Sequence, residues 1–378
     1  MQSTIPGFTA AQLEARGATW TAREISQQPA VWAEVARLVA TERAAIDKFL
    51  VPLLSNLSMR IVLTGAGTSS FIGECLAPAL AAHMRRRIES IATTDIVSGP
   101  DRRLHRDSPT LLISFARSGN SPESLATVDL AERIVTNVHH LIITCNPEGE
   151  LARRAPQLRS ARVLVLPDAT NDRGFAMTSS FTSMVLVAGL LFGAVRDQSV
   201  PSLCRAAESL LLDAWSLAQR LVAREFQRVI YLGSNELSGL ASEAALKLLE
   251  LTDGQVVALS DSTLGFRHGP KTIINNRSMV VLFLSNDQYT RAYDEDLLAE
   301  LRRDGRAGEI LALGNGEAIR IEGMAGASDL EVSLLYVLVA QAFALTQSLA
   351  LGLTPDRPNA AGVVNRVVQG VTIHSWLE

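Results

Sequence analysis

The 378-residue sequence is poor in cysteine and carries no excess of basic charge. Its three cysteines, Cys75, Cys145 and Cys204, lie far apart and form no CxxC pair, so neither a disulfide framework nor a cysteine metal site is expected. We interpret them as small buried apolar residues of a protein in the reducing cytoplasm. The formal net charge of −4 gives no electrostatic footprint for nucleic acid or for an anionic membrane.

Other features that the sequence lacks exclude further classes of function. No basic leader precedes an apolar stretch at the start, and polar residues interrupt the runs rich in Ala, Leu and Val, so we expect no secretion signal and no membrane span. The six histidines show no ligand spacing with one another or with cysteine, which argues against a metal. No GxxxxGK[ST] loop is present, so nucleotide triphosphate chemistry is unsupported.

What the sequence does contain is a pattern that occurs twice. A strand that ends in a glycine loop and leads into a helix is predicted at 60–82 and again at 228–251. Two further strands and an apolar helix of the first copy recur in the same order in the second: 111–115, 140–144 and 175–191 match 279–284, 309–313 and 334–351. This self-similarity predicts two α/β units, each a parallel sheet with helices on both faces.

The two units and their flanking segments account for the whole chain. A hydrophobic content of 47% against 20% charged residues is enough for two sizeable cores. In the segment after the second unit we expect loop character, then a short helix and a strand. The predicted parts are an N-terminal helical extension, a first unit, a connecting helix, a second unit and a tail that completes the site: 1–50, 51–195, 196–225, 226–353 and 354–378.

One loop of the first unit has the composition of an anion site. A continuous apolar run at 111–115, typical of a strand buried on both faces, ends in a loop of Ser, Gly and Asn, and Pro122 then opens a helix. Backbone N–H groups and the dipole at such a helix start favour a small anion, most plausibly phosphate. An ordinary turn with capping serines is the alternative. The side chains available there are Ser114, Arg117, Ser118, Asn120 and Ser121.

Neighbouring segments add to this site or contrast with it. Thr68 and Ser69, in the glycine loop of the first unit, provide further hydroxyl donors at the same sheet edge, unless this loop is only a tight turn. A dinucleotide fingerprint is weak there because Ser70 stands where Gly or Ala is favoured. The corresponding loop of the second unit, 285–290, has an acid and no glycine, so we expect one anion site per chain.

Three groups of residues outside the loop are candidates for chemistry or binding. Thr178 and Ser179 precede an apolar helix and either cap it or contact a ligand. Glu243, Lys247 and Glu250 share one stripe of a largely apolar helix, either as a salt-bridged exposed face or as a general base with its electrostatic partner. His268, in a loop with Gly and Pro, can exchange protons near neutral pH, although a capping or core histidine remains an alternative.

Taken in order along the chain, these segments resemble the site motifs of the sugar isomerase (SIS) superfamily, in which two flavodoxin-like units bind phosphosugars. The matching segments are 67–69 (GTS), 118–121 (SGNS), 245–250 (ALKLLE) and 268–270 (HGP). A narrower set is similar to the D-galactosamine-6-phosphate deaminase/isomerase group, also called tagatose-6-phosphate ketose/aldose isomerases. That set is 117–124 (RSGNSPES), 172–180 (DRGFAMTSS), 265–271 (GFRHGPK) and 364–371 (VNRVVQGV).

The resemblance implies an enzyme, two tandem flavodoxin-like SIS domains and specific roles for residues. Thr68, Ser69, Ser118 and Ser121 would hold the substrate phosphate. Glu250 would move a proton between C2 and C1, Lys247 would stabilise the enediol-like charge, and His268, commonly from a neighbouring subunit, would assist ring opening. A homodimer or higher oligomer follows, with no cofactor and no metal.

Two departures from glucosamine-6-phosphate synthase, a relative in this superfamily, narrow the activity. The region ahead of Thr21 is too short for a glutaminase domain, and 358–365 has no lysine to form a Schiff base. We therefore expect galactosamine 6-phosphate to be converted to tagatofuranose 6-phosphate with release of ammonia in galactosamine catabolism. The alternatives are plain isomerisation of another 6-phosphosugar, glucosamine-6-phosphate deamination and a phosphosugar-sensing regulator, although 1–50 has too few basic positions for a DNA-binding helix-turn-helix. A dehydrogenase is the weakest of the alternative functions.

Overall fold

The computed structural model describes residues 5–314, 316–324, 326–359, 362–368 and 370–376, and within them it contains two parallel sheets. The first has the strand order β2-β1-β3-β4-β5 and the second the order β7-β6-β8-β9. The 2-1-3-4-5 order is that of flavodoxin-like folds, in which ligands bind where the strand order reverses. The strands are β1 Arg60–Thr64, β2 Ile88–Ser90, β3 Thr110–Ala116, β4 Val138–Thr144, β5 Ala161–Val165, β6 Arg228–Gly233, β7 Val257–Ser262, β8 Ser278–Phe283 and β9 Glu309–Leu313.

Helices cover both faces of each sheet, as the duplicated pattern predicts. The α-helices are α1 Ala10–Ala15, α2 Thr19–Ser26, α3 Gln28–Ser55, α4 Thr68–Met84, α5 Thr93–Ser98, α6 Pro100–Arg103, α7 Pro122–Ile134, α8 Glu150–Arg154, α9 Ser179–Leu191, α10 Val200–Val222, α11 Glu236–Leu251, α12 Gln288–Asp304 and α13 Asp329–Ala350. Short 3₁₀ turns lie at Ala155–Gln157, Asp168–Thr170, Asp197–Ser199, Gly265–His268 and Pro270–Ile273.

Alternating side chains of each strand enter different cores. In β1, Leu63 belongs to the large central cluster, while Val62 packs with Ile96 of α5 and Ala131 of α7 on the opposite face. The second sheet repeats this arrangement, since Ile230 packs towards α12 and the neighbouring residues of β6 face the central cluster. Burial of both faces explains why the strands are almost continuously apolar.

The two sheets are joined by helices of the central cluster. Helix α11 of the second unit packs against α4 of the first, and both contact α13. Gly239 allows this close approach, since a Cβ there would lie 2.6 Å from the backbone nitrogen of Cys75. Helices α3 and α10 pack against each other on the same core. The α4–α11 contact brings side chains of both units to one place.

Helix α13 is the one helix in the described part of the chain that is long and apolar enough to cross a membrane. All of its most apolar 18-residue window is buried inside the protein. Tyr336 of this helix stacks on Phe283 of β8, with ring centroids 5.9 Å apart. Its apolar character is therefore used to fill the core of the second unit.

Helix and strand positions agree with the sequence prediction except in the tail. We predicted a short helix and a strand after residue 354, and this is wrong for the described residues of that segment, which contain neither. Gly362 and Gly370 adopt positive φ angles of 68° and 77°, which interrupt a regular element. Asn359 Oδ1 accepts the backbone N–H of Val363 instead, at 2.8 Å. The domain boundaries themselves stay a prediction.

Candidate active site

The candidate site lies between β1 and β3, the adjacent strands where the order of the first sheet reverses. Helices α4 and α7 begin there, and neither start has a side-chain cap among the described residues. Their free N–H groups and dipoles give this end of the sheet a positive potential. A cavity of about 200 Å³ opens at this edge. It is lined by Ala66, Gly67, Thr68, Ser69, Phe115, Ala116, Arg117, Ser118, Ser121, Ser124, Phe175, Met177, Glu250, Val364, Asn365, Arg366, Val367 and Val368.

The serine loop follows β3 as predicted and faces the cavity with two hydroxyl groups. Ser121 is the N-cap residue of α7, and its Oγ lies 2.7 Å from Ser124 Oγ. Ser118 Oγ accepts the backbone N–H of Asn120 at 3.3 Å. Gly119 turns the chain with a φ of 68°, and a Cβ there would lie 3.3 Å from Gly149 Cα. The loop therefore requires glycine at this position and presents donors to a small anion.

Four other residues predicted to bind substrate are not among the residues that line the cavity. Asn120 is exposed and its Oδ1 accepts the backbone N–H of Glu150 at 2.8 Å, which ties the loop to α8. Ser114 is buried in β3, and its Oγ has no hydrogen-bond partner among the described residues. Thr178 and Ser179 donate their backbone N–H groups to Asp172 at 2.7 and 3.2 Å, so this segment starts α9. None of the four lines the cavity.

The stripe on α11 is buried, so it is not the salt-bridged exposed face that the pattern also allowed. Lys247 Nζ donates to Thr68 Oγ1 at 2.9 Å and to Glu250 Oε2 at 2.5 Å. Glu243 Oε1 lies 3.5 Å away on the other side of the ammonium. Lys247 and Glu243 are fully buried, whereas the Glu250 side chain remains 23% exposed and lines the cavity. The ammonium thus links the hydroxyl of one unit to the carboxylate of the other.

The electrostatics of this group follow from its burial. Burial raises the pKa of the Glu243 carboxyl to about 8, against the opposing effect of the Lys247 ammonium, and the nearby Glu250 charge adds to the rise. Burial disfavours the Lys247 ammonium as well, but Glu243 and Glu250 outweigh it and raise the pKa of that group. Lys247 is therefore a cation at neutral pH, held beside the carboxylate that faces the cavity.

Arg117 reaches the cavity from the serine loop and meets the C-terminal tail. Its guanidinium donates to the carbonyl oxygens of Phe175 and Arg366 at 3.0 and 2.8 Å. Burial, and then the charge of Arg366, lower the pKa of Arg117 to about 10, so the side chain keeps its charge at neutral pH. Residues 364–368 form one wall of the cavity.

His268 lies apart from the other predicted catalytic residues within a single chain. It ends the 3₁₀ turn that follows β7, its side chain is exposed, and it does not line the cavity. Arg267 and Lys271 on either side of it both bind Glu300 of α12, which fixes the loop on the second unit. The histidine is therefore presented to the outside on an anchored loop.

The second unit has its own carboxylates where the first unit would hold an anion. After β8, Asp329 accepts the Ser285 hydroxyl at 2.5 Å and the Asn286 backbone N–H at 2.6 Å. Asp294 accepts the Ser285 backbone N–H at 2.9 Å. Asp287, which we expected to repel a phosphate, caps α12 through the backbone N–H of Thr290. These contacts support the prediction of a single anion site per chain.

The sequence analysis gave no role to several residues that complete the cavity and lie outside the motifs of the first sheet. Phe175 and Met177 belong to the 172–180 segment, from which only the two hydroxyl residues were chosen. Asn365 and Arg366 lie in 364–371, which was part of the family resemblance but received no role. The family resemblance was the one sequence signal for these tail residues, because an exposed segment without hydrophobic periodicity offers no pattern from which a role could be predicted. In the described ranges, no group of three or more His, Cys, Asp or Glu side chains could hold a metal ion.

Comparisons with known proteins agree with this arrangement. The SIS domain model matches residues 53–194, which hold the first sheet. A D-galactosamine-6-phosphate deaminase AgaS of Escherichia coli is 44% identical over 369 residues, 95% of this chain and 96% of that protein. A Streptomyces coelicolor protein that provisionally carries the same name is 50% identical over the same shares of the two chains.

The fold comparison gives the same result. The crystal structure of tagatose-6-phosphate ketose/aldose isomerase from Escherichia coli superposes with a TM-score of 0.88 at 40% identity, covering 98% of this chain and 100% of the other. Sequence and fold thus agree over nearly the full length. The chain belongs to the SIS-domain family of phosphosugar deaminases and isomerases.

Proposed function

We propose that this enzyme converts D-galactosamine 6-phosphate and water to D-tagatofuranose 6-phosphate and ammonia. The observation that carries the proposal is that Glu250 and the serine loop line one cavity, with Lys247 bound to Glu250 at 2.5 Å. The cavity thus combines an anion-binding end with a carboxylate that has a cation beside it. The names of the relatives, deaminase for two and isomerase for the solved structure, support the same class of substrate.

The phosphate group is assigned to the serine loop. Ser118 and Ser121 offer hydroxyl groups, and the starts of α4 and α7 offer backbone N–H groups and positive potential. Thr68 and Ser69, at the first turn of α4, face the same cavity. Glu250 is the one acid among the described residues that line the cavity.

The reaction needs one base and one electrostatic partner. Glu250 takes the proton from C2 of the open-chain 2-amino aldose and delivers it to C1. In the same isomerisation the C1 oxygen gains one proton and becomes a hydroxyl, while the C2 amino group loses one proton and becomes an imine. Lys247, which donates to both Thr68 and Glu250, stabilises the enediol-like charge. The product of the transfer is an imine at C2, and addition of water with loss of ammonia gives the ketose.

His268 is assigned to ring opening at the site of a neighbouring copy. Its exposed position on an anchored loop, outside the cavity of its own chain, supports a role across an interface. The active form would then be a homodimer or a larger oligomer. We assign the reaction to cytoplasmic catabolism of galactosamine and N-acetylgalactosamine.

The test is an ammonia assay with three substrates at equal concentration: galactosamine 6-phosphate, glucosamine 6-phosphate and tagatose 6-phosphate. We expect ammonia from galactosamine 6-phosphate at the highest kcat/KM, and none from tagatose 6-phosphate, which has no nitrogen. Glu250→Gln should lower kcat by at least about a hundredfold, since a general base typically contributes that much. Binding of the phosphosugar to this variant should persist. Full activity of Glu250→Gln would refute the assignment of the base.

Plain aldose–ketose isomerisation is the second candidate, favoured by the name of the solved Escherichia coli structure. The same carboxylate and ring-opening histidine would serve it, because both reactions begin with transfer of a proton from C2 to C1. Absence of ammonia from both amino sugars, together with interconversion of tagatose 6-phosphate and its aldose, would establish this alternative. A preference for glucosamine 6-phosphate would retain the deaminase and change its sugar.

A further inference from the structure

Two arginines, Arg117 and Arg366, line the cavity close to each other. Arg117 is 6% exposed, and its fork spans the carbonyl oxygens of Phe175 and Arg366. Its Nε is buried and has no hydrogen-bond partner in the described part of the chain. A carbonyl oxygen satisfies an N–H group but carries no net charge, so the carboxylates that attract this guanidinium, Asp172 and Glu250, act on it without an ion pair among the described residues.

Arg366 brings the second charge from the tail. Its Nε donates to the Gly174 carbonyl at 3.2 Å, and its Nη2 donates to the Asp172 carbonyl. Among the described residues, neither arginine forms an ion pair with a carboxylate. The tail therefore places one cation next to another.

The nearby acids have other direct partners, and Glu250, which lines the same cavity, accepts a hydrogen bond from Lys247. The Asp172 carboxylate accepts the backbone N–H groups of Thr178 and Ser180 at 2.7 and 2.9 Å, as the cap of α9. Glu24 accepts the backbone N–H of Arg173 at 2.5 Å. The Asp172 and Glu24 carboxylates thus accept N–H groups of the 172–180 segment, whereas the two arginines donate to carbonyl oxygens of the same segment. Arg366 is exposed, so solvent screens its charge, and an anion in the cavity would add the direct ionic partner that neither arginine has among the described residues.

We propose that Arg366 is a substrate-binding residue which, together with Arg117, holds the dianionic phosphate and selects phosphorylated sugars over unphosphorylated ones. This proposal deepens the function proposed above and rests on its phosphosugar substrate. Both arginines line the same cavity as Ser118 and Ser121. A dianion between them removes the repulsion of the two guanidinium groups, and each contact with it is charge-assisted. Without an anion between them the two guanidinium groups repel each other, and a bound phosphate offsets that repulsion.

The experiment compares Arg366→Ala with Arg357→Ala, an exposed arginine at the start of the same tail that does not line the cavity. Titration of each protein with inorganic phosphate measures anion binding without any turnover. We expect the Kd for phosphate to rise at least about tenfold in Arg366→Ala, the loss of one charge-assisted contact, and to stay at the wild-type value in Arg357→Ala. In the enzyme assay the same change should appear in KM, with kcat altered by less than about threefold.

Arg366→Lys distinguishes charge from anchoring of the tail. Lysine keeps the cation but cannot span the Gly174 and Asp172 carbonyl oxygens as the fork does. We expect it to recover part of the phosphate affinity. Wild-type phosphate binding by Arg366→Ala, or a lysine variant as weak as the alanine variant, would overturn the proposal. Because phosphate binding is measured without catalysis, failure here differs from failure of the proposed reaction, which is seen as absence of ammonia from the wild-type enzyme.

Discussion

Glu243 is the residue whose environment differs most from what its chemistry prefers. It is fully buried on α11, and neither of its carboxylate oxygens accepts a hydrogen bond of normal geometry in the described part of the structure. The ammonium of Lys247 at 3.5 Å is its counter-charge, while Glu250 on the far side of that ammonium competes for it. A buried carboxylate in this position favours its protonated form, which is why its pKa is raised to about 8.

We predict that replacing Glu243 by Gln changes how stability depends on pH. With a pKa near 8 in the folded protein and an ordinary one near 4.5 when unfolded, the wild-type fold binds the extra proton between these values. Its free energy of unfolding therefore falls as pH rises from about 5 to about 8, through this group, and the Gln variant lacks that fall. Chemical denaturation at pH 5 and pH 8 measures it, with Asp213→Asn on the exposed face of α10 as the control. Equal pH dependence in all three proteins would contradict the prediction.

At the scale of elements, the contact between α4 and α11 decides whether the site exists. Thr68 begins α4 and Lys247 lies on α11, so the 2.9 Å bond between them depends on how closely the helices approach. Gly239 sets that approach. A sequence pattern can show which residues share a helix face, but the spacing of two helices from different units depends on the whole core.

Gly239→Ala should therefore weaken both the fold and the reaction. Its Cβ would meet the Cys75 backbone nitrogen at 2.6 Å, and overpacking of this kind costs about 1–3 kcal/mol of stability. Separation of the helices should also lower kcat by loosening the Lys247–Thr68 contact. Thermal unfolding and the ammonia assay measure the two effects. Gly99→Ala is the control, because its Cβ would meet Arg102 Cδ at an ordinary 3.6 Å. An unaltered kcat would show that the helices adjust without moving the site.

The sequence predicted the elements of the site better than its surroundings. The serine loop was readable because a buried strand, a glycine turn and Pro122 leave local signals. The stripe of Glu243, Lys247 and Glu250 was readable from helical spacing, but its burial was not, because that depends on α4, 170 or so residues away in the chain. Ser179 was ambiguous because its cap partner, Asp172, lies in an irregular loop. The tail was predicted wrongly because glycines with positive φ leave no periodic pattern.

At the scale of the whole molecule, the role proposed for the exposed His268 requires a second copy of the chain. We predict complementation between Glu250→Gln and His268→Asn, each expected to be nearly inactive alone. Co-expression gives mixed dimers in which one of the two sites has both wild-type residues, so about one quarter of wild-type activity should return. The pair Glu250→Gln and Lys247→Ala, whose residues contact each other within one chain, should give none. Absence of recovery in the first mixture would place the histidine in its own chain's site.

The carboxylates of Asp294 and Asp329 make the two halves chemically different, although the topology of their sheets is similar. In the second half these carboxylates accept the N–H and hydroxyl groups of the loop after β8, so those groups need no anionic ligand. The corresponding loop of the first half, 118–121, contains no acid, and the proposed function assigns the substrate phosphate to it. Under the proposed function, the second unit thus contributes Lys247 and Glu250 to the reaction, and the first unit contributes the loop that binds the phosphate.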